Sequence, residues 1–268
     1  MSDLELSDDL RTALGERWAR VTVVAETAST NADLLADTAA PDRSVLVTDH
    51  QVAGRGRLDR SWVSPPGAGL TFSVLLRPQV PLLVWGWLPL LAGVAVYEAV
   101  GTFAGVRVAL KWPNDLLAGP GADPAAFGKV AGILAQTSGE AVVIGIGLNV
   151  HTSREELPVE TATSLALCRA TSLDRGELLA AILARLDARY AQWVDVAGDA
   201  EACGLAAAYE AACATVGQVV AVTGTDGAVA RGTAVGIDAG GRLQVDVGGT
   251  IQVIGAGEVE HLRPAAPG

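Results

Sequence analysis

The chain has 268 residues, of which 50% are hydrophobic and 18% charged, so it can bury one large core with a smaller domain attached. Its 19 basic and 30 acidic residues give a net charge of −11, which disfavours non-specific binding to DNA, RNA or anionic membranes. Three scattered cysteines form neither a disulfide framework nor a zinc motif, and no secretory signal is visible, so we expect a cytoplasmic protein without a membrane partner.

Local patterns predict an α+β fold, with a mixed, largely antiparallel sheet flanked by helices in residues 1–214 and a small β-barrel in residues 215–268. The predicted helices cover residues 3–20, 32–40, 84–103, 174–196 and about 200–213. The predicted strands cover residues 21–25, 45–48, 70–77, 106–112, 129–136 and 142–150, then 219–222, 228–237, 242–247 and 250–254.

Ser29, Thr30 and Asn31 stand between a predicted strand and the predicted helix 32–40. Any one of them can serve as the N-cap of that helix, because its side chain can accept a hydrogen bond from the first helical N–H groups. Three such residues in a row exceed what one cap requires. Contact with a ligand is therefore a second interpretation of this turn.

Three arginines and two glycines form a basic stretch in this acidic chain, namely Gly54, Arg55, Gly56, Arg57 and Arg60. Glycine allows backbone N–H groups to approach a ligand closely, and the arginine guanidinium is a planar fork of donors suited to phosphate or carboxylate. The stretch is either an anion cradle on a mobile loop or a basic surface turn that happens to contain glycine.

Two lysines lie at the ends of predicted strands, where the backbone would hold their side chains in place. Lys111 ends a predicted strand just before Pro113, and the turn that follows carries Asn114 and Asp115. This arrangement suits nucleotide phosphate and metal chemistry, but a surface ion pair with an Asx turn explains it too. Lys129 is the sole charge in an apolar run, so it must be paired or must bind an anion.

In the predicted strand 142–150, one face carries Gly145, Gly147 and Asn149. A strand face made of glycine has little packing value and usually marks the close approach of a ligand or of another backbone. Either a ligand or a tightly packed neighbouring strand would fit this strip.

Taken together and in this order, five segments resemble the biotin–protein ligases, and the resemblance covers roughly residues 22–263. The segments are Ser29-Thr30-Asn31, Gly54-Arg55-Gly56-Arg57 with Trp62, Lys111-Trp112-Pro113-Asn114-Asp115, Lys129 with Ala131-Gly132-Ile133-Leu134, and Gly145 through Asn149. The resemblance implies a catalytic domain of the class II synthetase-like biotinyl/lipoyl ligase type followed by a small barrel.

The resemblance also implies a two-step reaction. Biotin and MgATP would give biotinyl-5′-AMP and pyrophosphate, and a lysine of the biotin carboxyl carrier domain of an acyl-CoA carboxylase would then attack the mixed anhydride. ATP and Mg²⁺ are the implied cofactors. The phosphates would carry most of the metal coordination, and no protein ligand is assigned to the metal.

The resemblance implies a role for each matching position. The catalytic residues would be Lys129, Lys111 and Arg57. Biotin would contact Ser29, Thr30, Asn31, Gln51, Gly54, Arg55, Arg57, Lys129 and Gly132. The nucleotide would contact Arg57, Trp62, Lys111, Asn114, Asp115 and Asn149. Residues 50–62 would form a lid that orders over the adenylate and excludes water.

The family often continues with glycine one residue after the Gly-Arg-Gly-Arg run, whereas Leu58-Asp59 follows it here, and the turn from Gly119 to Phe127 is longer than usual. Some family members carry an N-terminal DNA-binding domain. About twenty residues precede the first matching strand, so we expect a monofunctional enzyme with no DNA partner. A lipoate/octanoate–protein ligase and a non-catalytic biotin-binding regulator remain alternatives, whereas a P-loop ATPase is disfavoured because its motif is missing.

Overall fold

The computed structural model describes Leu4, Thr12, Leu14, Gly15 and residues 17–262 apart from 59, 122 and 226. Most of the predicted helix 3–20 lies outside these residues, and so does Asp59 of the predicted lid. The helices are α1 (Thr30–Ala36), α2 (Trp87–Phe103), α3 (Arg175–Asp195) and α4 (Leu205–Ala212), with 3-10 turns at Leu82–Val84 and Pro124–Ala126.

The larger sheet has eight strands, paired in the order β1-β2-β4-β8-β7-β6-β5 with β3 attached to β2. The strands are β1 (Arg20–Thr27), β2 (Ser44–Arg55), β3 (Ser61–Ser64), β4 (Gly69–Leu76), β5 (Arg107–Lys111), β6 (Asp115–Gly119), β7 (Gly128–Ser138) and β8 (Ala141–Asn149). The β1–β2 pair is parallel and the other neighbours are antiparallel, so the predicted mixed sheet flanked by helices is confirmed.

The two faces of this sheet are covered by different helices. α2 and α3 pack on one face and form the main core with strand residues such as Phe72 and Val74. α1 packs on the other face, where Leu34 meets Leu46 and Val143. Every residue of β4 is therefore buried, although we predict a strand buried on one face only. The functional side chains lie on the α1 face.

The second sheet has five antiparallel strands in the order β12-β11-β10-β9-β13. They are β9 (Val219–Gly224), β10 (Val229–Ile237), β11 (Leu243–Val247), β12 (Thr250–Ile254) and β13 (Gly257–His261). The predicted series of short strands is confirmed, and β13 is an additional strand. The domain boundary after residue 214 stays a prediction.

The two sheets share one continuous core. Trp87, the first residue of α2, donates its indole N–H to the carbonyl of Ala239 at 3.1 Å. Its ring packs edge-on against Tyr209 of α4. A Cβ at Gly86 would lie 2.1 Å from the carbonyl oxygen of Gly240, so this contact between the domains requires glycine. The C-terminal sheet is thereby held beside the larger sheet.

The basic stretch differs most from expectation. β2 continues to Arg55 and pairs with β3, so residues 50–62 form a β-hairpin rather than an irregular loop. The turn is closed by Gly56 N–H, which donates to the carbonyl of Arg60. Leu58 at the turn has a φ of 54°, in the left-handed region that favours glycine.

Four helix boundaries differ from the predictions by two or more residues, and one of them is the start of α2 at Trp87 rather than at residue 84. α1 begins at Thr30 and ends at Ala36 rather than covering 32–40, and α4 begins only after Gly204, whose φ is 73°. Of the helices in the described part of the chain, none combines the length and the apolar character that a bilayer crossing needs.

Candidate active site

A cavity of about 340 Å³ opens on the α1 face of the larger sheet. Its walls are the start of α1, the β2–β3 hairpin, the turn between β5 and β6, strands β7 and β8, and the edge of the C-terminal sheet. The residues of the predicted site that line it are Ser29, Thr30, Asn31, Gln51, Arg55, Arg57, Trp62, Lys111, Asn114, Asp115, Lys129 and Gly132. Segments separated by more than two hundred residues, from Ser29 to Glu260, thus meet around one space.

One end of the cavity is uncharged and strongly hydrogen-bonded. Ser29 is the N-cap of α1, because its hydroxyl accepts from Ala32 N–H. The Oε1 atom of Gln51 accepts from the backbone N–H of Thr30 at 3.0 Å and lies 3.3 Å from the Thr30 hydroxyl. All three side chains are almost fully buried yet line the cavity. The N-cap and ligand interpretations of this turn are therefore compatible.

Asn31 lies across three strands at this end of the cavity. Its amide nitrogen donates to the carbonyl of Leu134 at 3.2 Å and to the Gln136 side chain at 2.8 Å. Its Oδ1 atom lies 2.6 Å from the hydroxyl of Ser73. A Cβ at Gly145 would come within 2.3 Å of the same oxygen, so this glycine makes room for the Asn31 side chain.

The opposite end of the cavity is cationic. Lys129 Nζ lies 2.6 Å from Asp115 Oδ1. Lys111 is half-buried, and among the described residues its ammonium group has no hydrogen bond or ion-pair partner. The Arg57 guanidinium contacts Asn114 Oδ1 at 3.4 Å. A region with several converging cations is suited to an anion with more than one charge.

The electrostatics of Arg57 reflect its position in this cluster. Burial lowers the pKa of the Arg57 guanidinium, the nearby carboxylate of Asp115 raises it, and the charge of Arg60 lowers it again. Arginine nevertheless stays protonated at neutral pH. Arg57 is therefore a partly desolvated cation, and such a cation gains strongly from an anionic ligand.

The glycine strip of the sheet is covered by Trp62. A Cβ at Gly147 would lie 2.4 Å from the indole ring, and a Cβ at Gly132 would lie 3.0 Å from it. Lys129 Nζ lies 5.7 Å from the centroid of the same ring, within the range of a cation–π contact. The close approach that we predict at this strip is thus made by side chains of the chain itself, Trp62 at Gly147 and Asn31 at Gly145.

Two residues of the predicted site do not line the cavity. A Cβ at Gly54 would lie 2.4 Å from Gln51 Nε2 and 2.5 Å from the Trp62 carbonyl, so glycine is needed here for the hairpin strands to approach. Asn149 donates its side-chain N–H to the carbonyl of Thr163 at 3.0 Å. In this structure Gly54 permits close packing within the hairpin, and the Asn149 side chain bonds to a backbone carbonyl.

The C-terminal sheet contributes residues that sequence patterns do not reveal. Glu258 and Glu260 of β13 line the cavity mouth, with Thr223 of β9 beside them. Glu258 forms an ion pair with Arg60 at the tip of the β2–β3 hairpin. Alternating acidic residues on a short strand are typical of any solvated edge, so only the packing of the two domains identifies these positions.

Sequence models of two domain families match this chain. The model of the biotin/lipoate A/B protein ligase family matches residues 20–152, which contain the large sheet and most of the cavity. The model of the biotin protein ligase C-terminal domain matches residues 215–262, which contain the five-stranded sheet.

Individual relatives agree with the family models. The chain is 42% identical to a biotin–[acetyl-CoA-carboxylase] ligase of Mycobacterium tuberculosis over 98% of this chain and 96% of that protein. It is 35% identical to a bifunctional ligase/repressor of Bacillus spizizenii over 72% of this chain and 60% of that protein. A biotin protein ligase from Aquifex aeolicus in complex with biotin and ATP superposes with a TM-score of 0.75 at 28% identity, covering 92% of this chain and all of that one. The chain belongs to the biotin protein ligases.

Proposed function

We propose that this chain activates biotin with ATP to give biotinyl-5′-AMP and then transfers the biotinyl group to a lysine of a biotin carboxyl carrier domain. The observation that carries the proposal is the division of one cavity into an uncharged hydrogen-bonding end and a cationic end. A neutral ureido ring fits the first end, and a carboxylate next to a triphosphate fits the second.

The first step brings two anions together. An oxygen of the biotin carboxylate attacks the α-phosphorus of ATP, a new P–O bond forms, and the bond to the pyrophosphate leaving group breaks. Lys129, Lys111 and Arg57 are placed to offset the charge that accumulates at the phosphorus. Fixed cations in a partly desolvated site stabilise such a transition state without reorganisation of solvent.

The remaining cavity residues take binding roles in this proposal. Biotin would contact Ser29, Thr30, Asn31, Gln51, Arg55, Arg57, Lys129 and Gly132, and the nucleotide would contact Arg57, Trp62, Lys111, Asn114 and Asp115. Gly54 would act by holding the hairpin strands together. Contact of Asn149 with the nucleotide stays a prediction. In this structure its side-chain N–H donates to the Thr163 carbonyl and the residue does not line the cavity.

Mg²⁺ enters the proposal as part of the MgATP substrate. Within the described residues, no group of three or more His, Cys, Asp or Glu side chains is arranged to hold a metal ion. Mg²⁺ often binds through substrate phosphates and water together with one or two carboxylates. Asp115 is the carboxylate paired with Lys129 at the cationic end and would be available once Lys129 turns toward the nucleotide.

The second step consumes the mixed anhydride. The amine nitrogen of the carrier lysine attacks the acyl carbon, the bond to the phosphate oxygen breaks, AMP leaves, and the amine loses one proton. The relative from Mycobacterium tuberculosis acts on acetyl-CoA carboxylase according to its name, and a carrier domain of such a carboxylase is the proposed partner here.

Release of pyrophosphate tests the first step. Purified protein with MgATP is expected to release pyrophosphate when biotin is added and not when lipoate or octanoate is added. Release with lipoate or octanoate alone would support the lipoate/octanoate ligase alternative instead. Biotin binding without any pyrophosphate release would support the non-catalytic regulator, and either outcome would contradict the proposal.

A further inference from the structure

Ser73 lies beneath the uncharged end of the cavity and is fully buried, with none of its surface in the cavity lining. It stands in the middle of β4, directly opposite Gly145 of β8. Its hydroxyl oxygen is 2.6 Å from Asn31 Oδ1 and 2.7 Å from Thr30 Oγ1. A buried hydroxyl between two cavity residues determines which of their atoms can donate and which can accept.

The orientation of the Asn31 amide determines where the Ser73 proton goes. The carbonyl of Leu134 can only accept, and it lies 3.2 Å from the amide nitrogen of Asn31. The opposite atom, Oδ1, therefore faces Ser73 and can only accept. Since a serine hydroxyl has one proton, Ser73 must donate that proton to Asn31.

The direction of the Ser73 hydrogen bond in turn fixes the direction of the Thr30 hydroxyl. With its proton committed to Asn31, Ser73 can only accept from the Thr30 hydroxyl at 2.7 Å. Thr30 could instead donate to Gln51 Oε1 at 3.3 Å. The hydroxyl oxygens of Thr30 and Ser73 would then be in close contact with no proton between them. The shorter distance and the avoided repulsion both favour donation from Thr30 to Ser73.

At Thr30 and Gln51 the cavity then presents two acceptor oxygens, and the Thr30 hydroxyl proton is not offered to the ligand. Thr30 Oγ1 has lone pairs left, and Gln51 Oε1 already accepts from the backbone N–H of Thr30. Both oxygens belong to residues that line the cavity and lie 3.3 Å apart. A ligand that offers an N–H group satisfies this pair, whereas a ligand that offers a lone pair is repelled.

We propose that Ser73 is a positioning residue that fixes the Thr30 hydroxyl as an acceptor and thereby makes the cavity specific for an N–H donor on the ligand. The inference rests on the proposed function in taking biotin as that ligand, whose ureido ring carries two N–H groups. The hydrogen bond to Asn31 is what imposes the direction, so removing the Ser73 hydroxyl frees Thr30 to turn and donate.

The test compares biotin with an analogue in which one ring N–H is replaced by a ring oxygen, using each of the two possible positions. Wild-type protein is expected to favour biotin over at least one analogue by roughly tenfold or more in kcat/KM for pyrophosphate release. Ser73→Ala is expected to lose most of this preference, with an increased KM for biotin and little change in kcat.

A matched control comes from the same sheet. Ser44 of β2 is also fully buried, and its hydroxyl donates to the carbonyl of Pro41, away from the cavity lining. Ser44→Ala should lower thermal stability without changing the preference for biotin. Calorimetric binding of the same ligands to Ser73→Ala provides a second readout if its turnover is too slow to measure.

Different results would overturn the proposed function and the role of Ser73. If wild-type protein releases no pyrophosphate with biotin, the proposed function is wrong. If wild-type protein turns over biotin but Ser73→Ala keeps the full preference for the N–H ligand, the role of Ser73 is wrong while the function stands. A wild-type enzyme that does not distinguish biotin from either analogue would also overturn the role of Ser73.

Discussion

Lys129 Nζ and Asp115 Oδ1 lie 2.6 Å apart on two neighbouring strands, and both side chains face the cavity. The pairing of β6 with β7 brings them together, since Asp115 begins β6 and Lys129 is the second residue of β7. The carboxylate holds the ammonium group in place and offsets its charge in the free protein. A phosphate group of the nucleotide would compete with Asp115 for the same ammonium.

Replacement of Lys129 by alanine should therefore remove a cation from the reacting groups. We expect Lys129→Ala to reduce adenylate formation by about a hundredfold or more, as is common when a preorganised charge is lost from a transition state. Biotin-dependent exchange between pyrophosphate and ATP measures this step. Arg107→Ala is the control, because Arg107 is an exposed cation of β5 outside the cavity lining. Near-normal exchange in Lys129→Ala would remove Lys129 from the catalytic group.

Arg57 is expected to act in retention of the adenylate. It lies at the tip of the hairpin and reaches Asn114 across the cavity. We expect Arg57→Ala to release biotinyl-5′-AMP roughly tenfold faster, since a charge-assisted contact is worth about 1.5–3 kcal/mol. A filter assay on preformed adenylate measures the release rate. Arg231→Ala, at an exposed position of β10, should leave the rate unchanged, and an unchanged rate in Arg57→Ala would mean that the hairpin does not act as a lid.

A side chain at Gly147 should displace Trp62. The added Cβ of Gly147→Ala would lie 2.4 Å from the indole ring, so the ring must move. We expect the emission of Trp62 to shift to longer wavelength, toward that of a solvent-exposed indole, and binding of ATP to weaken. Trp62→Phe identifies the contribution of this residue among the six tryptophans.

Gly101→Ala is the matched control for that experiment. Its Cβ would meet Val108 at 3.5 Å, an ordinary contact, and it lies in α2 away from the cavity. This variant should keep both the emission of Trp62 and the affinity for ATP. An unchanged Trp62 spectrum in Gly147→Ala would show that the ring does not rest on the glycine strip in solution.

His261 makes stability depend on pH. Burial, and then the charge of Lys111, lowers the pKa of His261 below its ordinary value of 6.5. As the pH falls through 6.5, the unfolded chain takes up a proton at this position before the folded protein does, so the free energy of unfolding decreases. The stabilising contribution is complete above this pH and is lost below it.

His261→Gln removes this titration, and glutamine can still bond to the Thr215 hydroxyl that lies 3.2 Å from His261 Nε2. We expect the fall in Tm between about pH 7.5 and about pH 5.5 to be smaller in the variant than in the wild type. Differential scanning calorimetry at both values measures it. A fall of equal size in the two proteins would mean that His261 keeps its ordinary pKa in the fold.

Alternation of apolar residues is a local property, so sequence patterns predict the α+β class and most strands. Most of the cavity residues are predicted by the resemblance to the biotin–protein ligases rather than by local patterns. The hairpin is missed because Gly54 has low strand propensity and Gly56 is typical of a turn. Pairing of Gly54 with Trp62 across β2 and β3 overrides that propensity. Such a contact becomes visible only in three dimensions.

The occupant of the glycine strip could not be predicted for a similar reason. Gly145 and Gly147 indicate that something approaches closely, but the sequence does not say whether a ligand, a backbone or a side chain does so. Ser73 carries no local signal, since a serine in a strand is usually solvent-exposed. Its role depends on α1 placing Thr30 and Asn31 above β4.

Labelling of a carrier domain tests the account most directly. A purified biotin carboxyl carrier domain of an acyl-CoA carboxylase is incubated with the protein, MgATP and biotin, and its mass is measured. We expect the mass of one biotinyl group on the carrier lysine, dependent on both ATP and biotin, and no label when that lysine is replaced by arginine. An unmodified carrier in the presence of active protein, or equal labelling by lipoate, would contradict it.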